Sequence, residues 1–573
     1  MVPGMFVLVA RSHAACPLTA PPVHWRRERA STQVRSWGTG MEGARQQQAT
    51  MDVADAAVEP ASTSASRLLR ATFHVALYLV AAIASLSWLA NAVSFWRDGQ
   101  GTYDFSFYYD VALALRDNSH ANIYDPHLLQ SVANVHHVFL GAGVYHYPPV
   151  LPILLMPLTL LSFTAAARLW LIVDLLLSLV GAFLLVDWAR RVWKPPTRDA
   201  ARLFAVVTLF LTLMYQPLVQ GVRLGQATVL VFFLVVLAAW LVQRGHPELA
   251  GALLALAAWI KVYPLLLIAY FVLRREHRVT LGAALGGALG FMLALVVVGI
   301  PGVLAMGGIL ANGTTDSLNA QNEALARVPF WIAVELGGGA GPIITALGYV
   351  LVAAVALIFV AVVLVWRSSP PIAERDLGHF TGRARNMLDA YGYAWALCTM
   401  VLLAPITWEH YDAWLLPAFV LLLGYALRAR PRRDPDTARP RSWWLSPEYR
   451  TLLIALVVYT LTMIDLPFGY DGNTAFDLGP FVAGHPLRPL FMLIRPLSTL
   501  LLWLIVGLHF FAQLGATANT ALNGEAPTSA RVTPSLRRLA TLLTCFMAAV
   551  LVVHVLLALL VNAAPPAAAT FLG

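Results

Sequence analysis

Apolar stretches of about twenty residues recur along most of the chain, and short polar segments separate them. A stretch of that length is sufficient for an α-helix to cross the hydrocarbon core of a bilayer. The pattern therefore predicts an all-α protein, a polytopic transmembrane helical bundle. The apolar segments are 71–95, 148–163, 165–188, 201–219, 227–243, 248–261, 264–273, 279–300, 341–366, 388–406, 412–428, 450–467, 487–511 and 538–561.

The distribution of positive charge indicates which of these segments are spans. If all of them crossed the membrane, the basic cluster from Arg190 to Arg202 would lie outside, against the positive-inside rule. Segment 148–163 is short and contains Pro152 and Pro157, so we assign it to a juxtamembrane helix on the external side. The remaining thirteen segments then place the N-terminus in the cytoplasm and the C-terminus outside.

Two of the predicted spans, 248–261 and 264–273, are shorter than a normal crossing. They could together form one helix, but Lys261 and Pro264 would then lie in its middle. We interpret them as a helical hairpin, because a hairpin places Lys261 at the external tip and keeps the following arginines inside.

The sequence divides into four parts along its length. Residues 1–66 are polar and lack apolar periodicity, which predicts a disordered cytoplasmic tail. Residues 67–430 form a membrane module that includes the external loop 96–163. Residues 431–449 form a cytoplasmic loop rich in Arg and Pro, and 450–573 form C-terminal membrane helices.

Composition supports a membrane protein and excludes several classes. Of the 573 residues, 59% are hydrophobic and only 12% are charged, about half the charge of an ordinary soluble protein. The net charge of +9 could suggest nucleic acid, but the basic residues are not clustered on one folded face, so no nucleic-acid partner is expected. The three cysteines are too scattered for a disulfide framework or a CxxC metal site.

The longest external loop, 96–147, holds the first candidate chemistry. Its aromatic-rich segment from Tyr103 to Asp110 begins an apolar pattern that predicts an amphipathic helix lying on the membrane surface. Asp104 is placed at the start of this helix, where a carboxylate can serve as a general base or simply cap the helix. Asp110 is a second candidate for the base.

Other polar side chains are predicted on the same external side. Lys261 is a cation within the bundle, where it could bind a phosphate as a point charge or snorkel to the interface. Further candidates come from three other turns, namely Arg223, Gln226, Asn319, Asn322, Arg327, Glu409 and His410. Together these residues favour a site at the external membrane surface for an amphiphile with an anionic, polar head.

Metal binding and proton relay are weaker interpretations. The first external loop contains five histidines, but no HExxH or comparable ligand spacing occurs there, so no metal site is predicted. Asp174 and Asp465 fall within spans, and we expect both to be buried against polar groups of the bundle.

Ordered motifs across residues 100–430 resemble the GT-C glycosyltransferases, and within them glycosyltransferase family 87. The motifs are Asp104 with Tyr108-Tyr109, Ile123-Tyr124-Asp125, Tyr147-Pro148-Pro149, Gly225-Gln226, Ala250-Gly251, Lys261-Val262-Tyr263-Pro264, Arg274-Arg275, Asn319 with Asn322 and Arg327, and Ala404-Pro405-Ile406-Thr407-Trp408-Glu409-His410. The family more often has Trp-Asp-His where this chain has Trp408-Glu409-His410. Its members are polyprenol-phosphate-mannose-dependent alpha-mannosyltransferases of the bacterial envelope.

The resemblance implies an inverting hexosyltransferase of the plasma (inner) membrane. The donor would be a polyprenyl-phosphate sugar, mannose by expectation, and the acceptor a hydroxyl of an envelope glycolipid or glycan on the external face. Asp104 would be the base, and Lys261, with Arg223 or His410, would stabilise the departing phosphate. No cofactor or metal is implied. Substrate-binding residues are expected at Tyr108, Tyr109, Asp110, Gln226, Asn319, Asn322, Arg327 and Glu409.

Two other functions fit the sequence. A polyprenyl-phosphate-arabinose-dependent arabinofuranosyltransferase would keep the fold and change the sugar. A lipid or sugar-lipid flippase or transporter would instead predict an internal repeat and ionisable residues near the bilayer midplane. No convincing repeat is found, and the candidate residues concentrate at one membrane face, which favours sugar transfer.

Overall fold

The fold is described by a computed structural model. It describes residues 64–97, 103–118, 120–138, 145–195, 197–312, 322–335, 341–368, 378–427, 447–463 and 488–523. Contacts divide the chain into two units, Met1–Ala71 and Thr72–Gly573, and the geometry below belongs to the second. Several predictions lie outside the described residues, namely those on Asn319, Asp465, Cys16, Cys545, most of the tail 1–66, most of the loop 431–449, and the span 538–561.

The described residues are mostly helical, with no strand among them, which confirms the all-α membrane fold. The α-helices are α1 (Ser64–Arg97), α2 (Tyr103–Asp117), α3 (Pro126–His136), α4 (Val150–Leu155), α5 (Phe163–Trp193), α6 (Arg198–Leu213), α7 (Gln216–Leu224), α8 (Thr228–Gln243), α9 (Pro247–Ile260), α10 (Leu265–Leu273), α11 (His277–Asn312), α12 (Val328–Glu335), α13 (Pro342–Ser368), α14 (Gly378–Leu402), α15 (Leu416–Leu427), α16 (Pro447–Thr462) and α17 (Arg488–Asn523). Short 3-10 helices cover Met156–Leu160, Leu325–Arg327 and Glu409–Leu415.

The predicted spans coincide with these helices wherever the structure describes them. Among the described residues, five helical segments are long and apolar enough to cross a membrane alone, and a sixth crossing results if the bent pair α6 and α7 counts as one span. The five are Phe163–Trp193, His277–Ile309, Pro342–Arg367, Glu409–Leu427 and Leu493–Leu514. The segment 148–163 forms the short helix α4 and a 3-10 turn, because prolines interrupt its backbone hydrogen bonds.

Helices α9 and α11 run parallel to each other, and α10 runs antiparallel to both. Glycines let α9 and α11 pack backbone to backbone, with Gly282 against Glu248 and Gly286 against Ala252. Residue numbers therefore rise in the same direction along both helices, so α10 returns between them. This is the arrangement that the predicted hairpin requires. It places Lys261 at one end of the bundle and the Glu248–Arg278 ion pair at the other.

The first loop packs on this bundle rather than lying on its surface. The predicted helix is present, but every residue of α2 from Phe105 to Leu115 is buried within the protein. The prediction that this helix lies on the membrane surface with one face exposed is therefore wrong. Aromatic side chains explain this burial, because the ring of Phe105 stacks on Trp170 at 5.8 Å. At the far end of α2, the Arg116 guanidinium donates to the backbone oxygen of Thr159 at 2.7 Å.

A break in α11 provides a further attachment for the first loop. Residue 301 is a proline and has no N–H to donate to the carbonyl of Val297. The N–H of His120 donates to that carbonyl instead, at 3.1 Å. Gly299 adopts φ 70°, which only glycine tolerates readily, and so permits the kink.

Asp174 lies fully buried in the middle of α5. The expectation that it is buried holds, but the expectation of polar partners is wrong within the described residues. Neither of its carboxylate oxygens has a hydrogen-bond partner there.

Candidate functional site

The site begins where α7 ends. Gly225 adopts a left-handed conformation with φ 71°, and its carbonyl accepts a hydrogen bond from the Trp170 indole at 3.0 Å. The next residue, Gln226, is buried, and its backbone N–H donates to the carbonyl of Gly221 at 2.8 Å. This turn fixes the Gln226 side chain against α2.

Gln226 connects two polar residues of α2. Its Oε1 accepts a hydrogen bond from the Tyr108 hydroxyl at 3.0 Å, and its side chain also hydrogen-bonds the Asp104 carboxylate. Asp104 is the second residue of α2, and its partner is this side chain, so the capping interpretation is not needed. Burial raises the pKa of Asp104 to about 6, although Gln226 and the positive charge of Lys261 oppose that shift.

Lys261 lies opposite Asp104, at the turn between α9 and α10. Its backbone leaves the helix with φ −138° and ψ 133°, and its side chain is fully buried. The ammonium donates to the Thr228 hydroxyl at 2.8 Å and lies 4.2 Å from the ring centroid of Tyr411. Because aromatic rings enclose this ammonium, the snorkelling interpretation is wrong, and a buried cation faces the Asp104 carboxylate.

A tyrosine cluster closes the space around this pair. The Tyr147 hydroxyl hydrogen-bonds the side chains of Gln226 and Tyr411, and its ring lies 5.2 Å from the Lys261 ammonium. The rings of Tyr411 and Trp414 stack at 4.9 Å, and the Tyr263 ring packs on both. Tyr147 and Tyr411 were not predicted as site residues, although Tyr147 begins one motif that the sequence analysis names and Tyr411 directly follows another.

His410 completes the predicted set. It follows Glu409 at the start of the 3-10 helix Glu409–Leu415 and is buried, with 4% of its surface exposed. Its ring packs edge-on against Tyr411 at 4.9 Å, and it interacts electrostatically with both Lys261 and Arg495. The Nε2 atom has no hydrogen-bond partner in the part of the chain that the structure describes. This imidazole is therefore available to a ligand.

A buried ionic cluster on the far side of His410 was not predicted. Arg495 of α17 is 1% exposed, and its Nη1 lies 3.3 Å from Glu323 Oε1 and 3.4 Å from Glu409 Oε2. The sequence did carry a signal, since an arginine inside an apolar span indicates a partnered or functional group. A small cavity beside the cluster is lined by Glu323, Leu325, Val401, Leu402, Thr407, Asp412, Arg495, Pro496 and Thr499.

Several predicted residues lie apart from the Asp104–Lys261 pair. Arg223 is exposed at the end of α7, and no contact between described residues joins it to Lys261. The Tyr109 hydroxyl donates to the carbonyl of Leu161 at 2.7 Å, which is a packing contact. Asp110 is fully buried, and neither of its carboxylate oxygens has a described partner.

Three predicted site residues follow α11, namely Asn319, Asn322 and Arg327, and the structure describes the last two. Asn322 is buried, and its Oδ1 accepts hydrogen bonds from the N–H groups of Ala324 and Thr407, at 3.1 Å and 3.0 Å. Its amide oxygen therefore serves the backbone rather than a ligand. Arg327 is half-buried in the 3-10 helix Leu325–Arg327 and belongs to neither the tyrosine cluster nor the ionic cluster.

This arrangement brings together a carboxylate, a cation and an imidazole beside a cluster of aromatic rings. Such a set can take a proton from a hydroxyl and stabilise an anionic leaving group. Among the described residues, no group of three or more His, Cys, Asp or Glu side chains is placed to hold a metal ion.

Relatives of the chain are mannosyltransferases. Over 295 residues it is 27% identical to the "Polyprenol-phosphate-mannose-dependent alpha-(1-2)-phosphatidylinositol pentamannoside mannosyltransferase" of Mycobacterium tuberculosis (strain CDC 1551 / Oshkosh), covering 50% of this chain and 60% of that relative. Over 307 residues it is 24% identical to the "Polyprenol-phosphate-mannose-dependent alpha-(1-2)-phosphatidylinositol mannoside mannosyltransferase" of Mycolicibacterium smegmatis (strain ATCC 700084 / mc(2)155), covering 50% and 63%. The matched region thus spans less than two thirds of either relative.

A family model gives the same assignment. Residues 145–380 match Glycosyltransferase family 87. This segment contains Gln226 and Lys261, whereas Asp104, His410 and Arg495 lie on either side of it. These matches confirm the resemblance to glycosyltransferase family 87 that the motifs of the sequence indicate.

Proposed function

We propose that the chain is a membrane mannosyltransferase that moves mannose from a polyprenyl-phosphate donor to a glycolipid hydroxyl. The observation that carries the proposal is the half-buried Asp104 carboxylate, which Gln226 hydrogen-bonds and which interacts electrostatically with the fully buried, aromatic-enclosed ammonium of Lys261. The relatives, both named as polyprenol-phosphate-mannose-dependent enzymes, support the donor. We place the site on the external face of the plasma membrane, in agreement with the charge distribution of the sequence.

Asp104 is the proposed general base. The acceptor oxygen attacks the anomeric carbon and forms the new bond, its proton passes to the Asp104 carboxylate, and the bond from that carbon to the phosphate oxygen breaks. The electron pair leaves with the prenyl phosphate, and a single displacement of this kind inverts the anomeric carbon. A pKa of about 6 keeps Asp104 largely ionised at neutral pH yet more basic than an ordinary aspartate.

Lys261 is the proposed partner of the departing phosphate, with His410 beside it. The ammonium is already desolvated by Tyr147 and Tyr411, so its charge acts on an anion without first losing water. His410 has a free Nε2 that could donate to a phosphate oxygen. The geometry favours His410 over Arg223 for this role, because Arg223 is exposed. We expect no cofactor, since these side chains supply the charge that a monophosphate leaving group needs.

The acceptor proposal follows from the relatives, whose names specify phosphatidylinositol mannosides. A mannoside headgroup presents the hydroxyl that Asp104 would deprotonate, and its lipid tails would remain in the bilayer beside the site. Both relatives are named for mannose, so mannose rather than arabinose is the proposed sugar.

The test is release of prenyl phosphate by the purified protein in nanodiscs. The substrates are a short-chain mannosyl-phosphoryl-prenol and a phosphatidylinositol mannoside. Wild type should turn over, and Asp104→Asn should lose at least about a hundredfold in kcat, as expected for a general base. Asp117→Asn is the matched control, because Asp117 lies on the same helix but is partly exposed and paired with Arg116 and His136.

Either of two results would contradict the proposal. If Asp104→Asn turned over as fast as wild type, Asp104 would not be the base. If wild type released no prenyl phosphate from mannose or arabinose donors, sugar transfer would be wrong, and lipid transport would become the preferred function.

A further inference from the structure

His410 lies in the first turn of a helical segment, where backbone N–H groups have no partner within the helix. This first turn belongs to the 3-10 helix Glu409–Leu415, which leads directly into α15, and no side chain caps its N-terminus at Trp408. Hydrogen-bond geometry in 3-10 helices is poorer than in α-helices. The position of His410 therefore depends on contacts that the neighbouring residues make with other elements.

Helix α17 supplies contacts on both sides of His410. Arg495 forms an ion pair with Glu409, the residue before His410, at 3.4 Å. One helical turn later, Thr499 hydrogen-bonds Asp412, two residues after His410. Since residues four apart share a helix face, one face of α17 contacts the segment on either side of the imidazole.

The loop after α11 completes this support. Arg495 also pairs with Glu323 at 3.3 Å. The backbone N–H of Glu323 donates to the carbonyl of Thr407 at 2.8 Å, and the N–H of Thr407 donates to Asn322 at 3.0 Å. Arg495 thus joins the two segments that flank the pocket, and it is nearly inaccessible to water, with 1% exposure.

We propose that Arg495 is a positioning residue for His410, holding the imidazole beside Lys261 through its ion pairs with Glu409 and Glu323. This proposal rests on the proposed function, in which His410 meets the donor phosphate. It gives helix α17, which lies C-terminal to the segment 145–380 matched by the family, a supporting part in the site. Arg495 contacts no reacting atom in this account, and its effect passes through His410.

The test combines Arg495→Met with His410→Ala in a double-mutant cycle. Arg495→Met keeps the length of the side chain but removes its charge, so kcat should fall at least about tenfold, with the KM for donor changing less than about threefold. If Arg495 acts through His410, the same change in the His410→Ala background should lower kcat by less than about threefold. Full additivity of the two effects, or an unchanged kcat in Arg495→Met, would overturn the proposal.

Two further variants separate positioning from folding. Arg274→Met is the matched control, because Arg274 is a partly buried arginine paired with Asp389 at 2.8 Å at the other end of the bundle. It should lose stability but keep kcat per folded molecule. If Arg495→Met does not fold, Thr499→Val removes only the hydroxyl that holds Asp412, and it should show the same dependence on His410. An effect of Thr499→Val that is independent of His410 would refute positioning.

A binding measurement distinguishes this proposal from the proposed function. Affinity for a short-chain prenyl phosphate, followed by tryptophan fluorescence, needs no turnover. Arg495→Met and His410→Ala should each weaken this binding, and the double variant should bind no more weakly than His410→Ala. If wild type binds the probe with this pattern but transfers no sugar, the proposed function fails while the positioning role stands. If Arg495→Met binds as wild type does, the positioning role fails by itself.

Discussion

Asp110 offers a test of the fold that does not depend on the reaction. It is fully buried on α2, neither of its carboxylate oxygens has a described partner, and burial raises its pKa to about 8. The folded protein therefore holds a proton on Asp110 that the unfolded chain releases above the ordinary pKa of 3.8. Because the folded state binds more protons in this window, stability should fall as pH rises from about 4 to about 8.

The magnitude follows from the same values. Each pH unit inside the window lowers the free energy of unfolding by about 1.4 kcal/mol. Across the whole window this amounts to an upper limit of about 6 kcal/mol, reached near pH 8 and constant above it. Asn cannot ionise, so Asp110→Asn should remove this pH dependence and become more stable than wild type towards pH 8.

The assay is the apparent unfolding temperature of the purified protein in detergent, measured from pH 5 to 9. The difference between Asp110→Asn and wild type should grow with pH and level off above about pH 8. Asp117→Asn on the same helix is the control. Partial burial opposes ionisation there, but hydrogen bonds from His136 and Arg116 outweigh it and lower the pKa of Asp117, so its loss should not stabilise the protein at high pH. A difference for Asp110→Asn that stays constant from pH 5 to 9 would refute the reasoning.

Three further predictions concern the pocket. If Asp104 is the base, kcat/KM should fall about tenfold per pH unit below about pH 6 and level off above it, as a pH–rate profile would show; a flat profile would contradict this. Lys261→Met removes the charge that opposes the raised pKa of Asp104, so the rising limb should move to higher pH and kcat should fall; an unmoved limb would mean that the two groups do not interact. Tyr147→Phe removes a hydroxyl shared by Gln226 and Tyr411, so stability should fall by no more than about 3 kcal/mol and kcat at saturating donor should drop about tenfold per folded molecule, whereas a normal kcat would exclude that network.

Much of the fold could be predicted because its signals are local. Apolar length indicates helices, and the short segments around Lys261 and Pro264 indicate the hairpin. The burial of α2 could not be predicted from its own sequence, since the pattern from Phe105 to Leu115 also fits a helix on a membrane surface. Stacking of Phe105 on Trp170 decides between the two environments, and that contact joins distant parts of the chain.

The candidate site likewise contains residues that the local sequence indicates and residues that only the tertiary fold reveals. Asp104, Gln226, Lys261 and His410 could be chosen because each is a polar residue beside a turn at one end of a span. Arg495 could not be matched to Glu323 and Glu409, because its partners come from loops that only the tertiary fold brings together. The aromatic enclosure of Lys261 was missed for the same reason.

Mass analysis of the acceptor tests the central claim most directly. Proteoliposomes that contain the protein, mannosyl-phosphoryl-prenol and a phosphatidylinositol mannoside should yield the acceptor with one additional hexose. We predict this product with wild type and with Asp117→Asn, and its loss with Asp104→Asn. The account would be contradicted if wild-type proteoliposomes left the acceptor unmodified. It would also be contradicted if the product persisted with Asp104→Asn and disappeared with Asp110→Asn.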